Sequence, residues 1–80
     1  MKVRIKTKEE FIRDGWWENA DGSLTRGNAF VFYGEWLKWL GHTVEVTGFW
    51  EDGANSRFLL EGTGAGFPMD FIAEYFHYWK

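Results

Sequence analysis

The sequence predicts one small α+β domain: a strongly bent antiparallel sheet of about five short strands, with one short and one longer helix. Three observations predict it. Apolar and polar residues alternate over 2–6 and again over 43–47, and period two is the strand signature. Thr7 with Glu10, and Asn28 with Gly41, supply helix start and stop signals between those strands. After Glu51, a hairpin loop and a glycine-rich turn separate short strands, with a single helical turn before the last of them. With 80 residues there is no room for a second domain.

Val3 and Ile5 alternate with Lys2, Arg4 and Lys6, giving a first strand with one wet, basic face. Thr7 and Glu10 form a capping box, in which each side chain satisfies the other's backbone N–H. A short helix over 8–14 follows, with Phe11 and Ile12 turned inward and Gly15 as its left-handed cap. Trp16-Trp17 opens a polar stretch that runs through Asp21-Gly22 and Gly27 to Asn28. It reads as a long loop or a loose hairpin with Ser23-Leu24-Thr25 as its second arm, and we prefer the loop.

Asn28 caps a second, longer helix over 29–40, closed by Gly41. At about 100° per residue, Trp39, Phe32, Trp36, Leu40, Tyr33, Leu37 and Phe30 share one arc roughly half the circumference wide. Trp36 and Leu40 lie near its middle and Trp39 at its margin. The arc is wider than the stripe that normally faces a core, so this reading expects an uncovered margin and a homo-oligomer, most simply a dimer. The clearest strand then runs through Thr43, Val44, Glu45, Val46 and Thr47 to Trp50. A hairpin loop over 51–56 returns through Arg57-Phe58-Leu59-Leu60-Glu61. The turn Gly62-Thr63-Gly64-Ala65-Gly66 leads to an edge strand Phe67-Pro68-Met69, where proline is tolerated. Asp70 caps a helical turn over 71–73, and 75–79 close as the last strand.

Composition excludes several classes. The formal net charge is −3, against the basic balance of a generic DNA binder. The chain has no Cys, so disulfide scaffolds, thiol nucleophiles and thiolate zinc sites are out. The charged first residues lack a following apolar run, so we expect no signal peptide, and no stretch approaches a membrane span.

Lys2 through Phe11, a short helix, Leu40-Gly41 leading into Thr43-Val44-Glu45-Val46, Phe58 to Gly62, and a late aromatic-acidic segment together resemble small SH3-like barrel proteins encoded by bacteriophages. The resemblance is loose and carries no catalytic signature. The chain departs from it in the Trp16-Trp17 segment and in the aromatic stretch that follows. It implies a barrel fold, a phage origin and the host cytoplasm as location.

The candidate sites narrow quickly. Gly62 to Gly66 is no phosphate loop, since neither Gly-Lys-Ser/Thr nor a helix follows it, and Pro68 stands just beyond. It reads as a permissive turn or a place of close backbone approach. His42 and His77 are the only imidazoles, and the single Glu74-x-x-His77 step lacks the second copy that a bundle metal site needs. No metal or cofactor is expected. Glu9-Glu10 is absorbed by capping, Glu51-Asp52 by a hairpin tip and Asp70 by a cap, so no acid–base pair remains and the chain does not read as an enzyme.

What remains is the rings. Phe, Trp and Tyr make up 21% of the chain. A small domain uses large rings to bury area, yet so many exceed what one core of this size accommodates. Trp16 and Trp17 are adjacent, so on extended backbone only one faces the core. The candidate binding residues are Trp16, Trp17, Phe32, Trp39 and Trp50, with Arg26, Arg57 and the Lys2/Arg4/Lys6 face as phosphate partners. The residues point to a binder. The resemblance extends this to interference with a host process such as antiviral defence, by covering a host protein or sequestering a nucleotide signal between rings. The alternative is a self-assembling structural module with no small ligand.

Overall fold

A computed structural model of the chain describes residues 1–27, 30–51, 53, 56–64 and 66–76. Its strands are β1 (Lys2–Ile5), β2 (Trp17–Glu18), β3 (Leu24–Arg26), β4 (Phe30–Phe32), β5 (Thr43–Trp50), β6 (Arg57–Leu60), β7 (Gly66–Pro68) and β8 (Ile72–Phe76), with one α-helix, α1 (Lys8–Arg13). Short 3-10 helices occupy Gly34–Trp39 and Met69–Phe71. A five-stranded antiparallel sheet has the order β7-β6-β5-β1-β8, and a second sheet has the order β2-β3-β4. The α+β expectation holds at that level.

The period-two pattern of β1 places Val3 and Ile5 in the core, both fully buried. α1 starts on the anticipated capping box: Thr7 Oγ1 accepts from the Glu10 N–H at 3.2 Å, and the Thr7 N–H donates to Glu10 Oε1 at 2.9 Å. Its end is a Schellman motif. The Trp16 N–H donates to the Phe11 carbonyl and the Gly15 N–H to that of Ile12, with Gly15 at φ 97°. The rings of Phe11 and Trp16 meet edge-on at 4.8 Å, the apolar clasp that accompanies this cap. Ile12, expected inward, is 48% exposed. A helix this short presents a narrow stripe, and Phe11 fills it a quarter-turn away. Thr7→Ala is expected to lower stability by about 1 kcal/mol, read as a shifted denaturant midpoint with unchanged slope.

The preferred loop over 18–28 is instead the hairpin β2-β3. Glu18 pairs with Leu24 and Trp17 with Thr25. The polar residues that read as loop are the turn's internal partners. Asp21 Oδ1 accepts from the N–H and Oγ of Ser23 at 3.0 and 2.6 Å, and Asn19 Nδ2 donates to Ser23 Oγ at 2.9 Å. Those bonds from Ser23, the hydroxyl first, hold the Asp21 carboxyl below its ordinary range.

The longer helix over 29–40 does not form. Phe30–Phe32 is strand β4, Tyr33 is extended, and Gly34 takes φ 62°, a left-handed turn that breaks a helix. The Phe-Val-Phe run favours a pleated surface. The remaining Gly34–Trp39 winds as a 3-10 helix with no fully buried residue. Asn28, its expected cap, lies outside the described residues. With the wheel gone, the apolar arc that suggested self-association has no geometric basis.

β5 is a strand throughout, as its alternation predicts, but its pairing slips: Val46 faces Leu60 while Gly48 faces Leu59. Thr47 is the extra residue of a bulge, and its hydroxyl donates to the Leu59 carbonyl at 3.1 Å. The bulge returns Phe49 to the face shared by Val44 and Val46. β7 is the edge strand that contains Pro68, as expected. The helical turn falls at Met69–Phe71, earlier than 71–73, with Pro68 rather than Asp70 as its N-cap. The last strand is therefore 72–76, and residues 77–80 lie outside the described residues. Between the two sheets sits an aromatic core of Phe11, Trp16, Phe32, Phe67 and Phe71, with Trp36 on its shoulder.

Candidate functional site

The sequence-predicted site residues fall in five separate places. Trp16 and Phe32 are core. Trp16 is 2% exposed against Phe11 and Phe71, and Phe32 is fully buried among Phe11, Phe67 and Phe71. Neither is open to a ligand, because the Schellman clasp and β4 turn them inward. Trp17 is the outward member of the pair, 52% exposed. It shares the outer face of the small sheet with Thr25 and Val31, directly across the strands. Arg26 ends β3 and is exposed, but alternation turns it away from Trp17. Trp39 is half-buried against Gly62, next to His42 and beneath the Lys38 ammonium.

Trp50 and Arg57 are brought together. They are cross-strand partners in β5 and β6, and Arg57 in turn faces Pro68 of β7. The adjacent row Phe49, Phe58 and Phe67 contains two buried rings, so alternation puts Trp50, Arg57 and Pro68 on the outer side. Trp50 is 57% exposed there. Arg57 lies flat across β7, and a Cβ at Gly66 would stand 2.9 Å from its Cδ. Gly66 is thus the seat of the arginine stem, and Arg57 Nη1 reaches the Gly66 carbonyl at 3.4 Å. What comes close to Gly66 is a side chain, where a permissive turn or another backbone is expected from the sequence. Among the described residues no carboxylate pairs with Arg57.

The opposite face at this end holds a chain of rings that sequence reasoning missed. Phe49 meets Phe58 at 5.2 Å, and Phe58 meets Tyr75 at 5.8 Å. Phe49 and Tyr75 remain exposed at its ends. Burial, then the charge of Asp70, pushes the Tyr75 hydroxyl up. The only signal in the sequence is Gly48, which marks the bulge that reverses Phe49.

Two of the three cations on the basic N-terminal face, Arg4 and Lys6, are neutralised, while Lys2 is exposed and makes no ion pair among the described residues. Arg4 makes a two-pronged bond to Glu10 at 2.8 and 2.9 Å and also reaches Glu74. Lys6 pairs with Asp14 at 2.7 Å and Lys8 with Glu18 at 3.3 Å. Arg4 and Lys6 are therefore not phosphate partners. The Arg4 guanidinium, then the Thr7 N–H, hold the Glu10 carboxyl down at about 2, and the same bond raises Arg4. Glu10 is thus lowered from an ordinary 4.5. Its stabilisation is complete above that ordinary value and is lost as pH falls towards 2. For this partly solvated pair the loss is about 1–2 kcal/mol. Denaturant midpoints recorded from pH 6 to pH 2 are expected to fall in that window, and Glu10→Gln is expected to flatten the fall.

Among the described residues no group of three His, Asp or Glu is placed to hold a metal ion, and no helix is long and apolar enough to cross a membrane. Comparison with protein-family models, curated proteins and solved structures found no match to this chain.

Proposed function

We propose that the chain is a non-catalytic binding protein whose working surface is the outer row Trp50, Arg57 and Pro68, and that its partner is a protein. The reading rests on one observation: a largely exposed tryptophan stands directly across from an arginine that no described carboxylate neutralises. Tryptophan and arginine are the side chains that dominate protein interfaces. Sequestration of a nucleotide draws less support, because Arg4, Lys6 and Lys8 are spent on carboxylates. We further propose an SH3-like barrel. The strand order β7-β6-β5-β1-β8 supports it, as does the 3-10 turn between β7 and β8. With the phage resemblance, the partner becomes a host protein and the task interference with a host process.

The test is capture from host lysate on immobilised wild-type, Trp50→Ala and Trp17→Ala chains. Wild type and Trp17→Ala are expected to retain the same polypeptide, and Trp50→Ala to lose it. Equal retention by Trp50→Ala contradicts the assignment.

A further inference from the structure

Among the described residues four strands end a sheet: β7, β8, β2 and β4. Sheet edges invite other strands, and proteins blunt them with proline, charge or brevity. β7 carries Pro68, which has no N–H, and β8 carries Glu74. β2 has only two residues, one of them Glu18 paired with Lys8. β4 is also short, at three residues, but as Phe-Val-Phe it has neither proline nor charge. Its pairing with β3 uses one side of the strand. Among the described residues no backbone hydrogen bond from outside the sheet reaches it.

We propose that β4 is the docking edge for a second copy of this chain, the two β4 strands pairing antiparallel about a two-fold axis. The vacant partner is a strand, because an edge offers backbone donors and acceptors at strand spacing. A second copy fits because Phe-Val-Phe reads the same in both directions. Antiparallel pairing centred on Val31 sets Val31 against Val31 and Phe30 against Phe32, apolar against apolar at each step. Such a contact is isologous and closes at two copies. It joins the two small sheets into one and aligns both outer rows of Trp17, Thr25 and Val31. That row contains no charged residue, so the copies meet there without like-charge repulsion, and the 44% exposed Val31 gains a β-branched neighbour. This interface is distinct from the Trp50 row and does not depend on it.

Sedimentation equilibrium on the full chain at rising micromolar concentration tests the pairing, with Val31→Lys and Val31→Thr alongside. Wild type and Val31→Thr are expected to approach twice the chain mass. Val31→Lys is expected to weaken the dimer at least tenfold, with a melting curve that matches wild type at dilutions where both are single chains. In wild type, amide exchange over 30–32 is expected to slow as concentration rises, a readout that stands even if Val31→Lys fails to fold. A wild-type chain at single mass throughout overturns the proposal, including the case in which the edge serves a foreign strand. So does a dimer indifferent to Val31→Lys, or one whose β4 amides exchange equally fast at every concentration.

Discussion

Phe32→Ala is expected to unfold the chain. The ring is fully buried and lies 5.2 Å from Phe11, 5.0 Å from Phe71 and 6.0 Å from both Phe67 and Trp36. It touches α1, the 3-10 helix at Gly34–Trp39 and both ends of the β7–β8 connection, so its loss opens a cavity between the two sheets. Removing a buried phenylalanine costs about 3–5 kcal/mol, and a domain of this size holds about 5 in total. The ring pairs add roughly 0.5–1.5 kcal/mol each beyond area. Trp36, half-buried on the shoulder, costs less, which reverses the rank the helical wheel assigns. Far-UV circular dichroism decides it: no cooperative melt for Phe32→Ala, and a lowered but cooperative one for Trp36→Ala. A near wild-type melt for Phe32→Ala would place the core elsewhere.

Trp50→Ala is expected to do the opposite, leaving the fold and removing the partner. More than half of Trp50 is already in water, so truncation changes stability by no more than about 0.5 kcal/mol. A tryptophan that anchors an interface costs about 2 kcal/mol or more of association, roughly a thirtyfold weaker complex. Arg57→Ala is expected to follow it, since the guanidinium lies in the same row. The measurements are a melting curve and a titration against the captured partner. An unfolded Trp50→Ala would make this ring structural. A folded Trp50→Ala with full affinity would empty the row of function.

Much of this arrangement is legible in the chain, for local reasons. The capping box over Thr7–Glu10, the glycine end of α1 and the alternation of β1 and β5 each depend on neighbours a few residues away. So does the split of Trp16 from Trp17, which follows from adjacency alone. The stretch 30–40 is not legible, because an almost wholly apolar run satisfies helical and strand periods alike. What decides it is the left-handed Gly34, a conformation the sequence permits without demanding. The β2-β3 hairpin is hidden because Asn19, Asp21 and Ser23 look solvated, while their polar atoms are spent on one another. The candidate site is hidden for a longer-range reason. Trp50, Arg57 and Pro68 are far apart in sequence, and only the registers of two strand pairs, one of them shifted at Thr47, bring them into line.

Native mass spectrometry of the protein purified from the cells that naturally make it tests the central claim most directly. A surface that binds a protein through exposed rings predicts a complex carrying a second polypeptide, lost in Trp50→Ala. A mass increment of nucleotide size, or the chain with no other polypeptide attached, would contradict it.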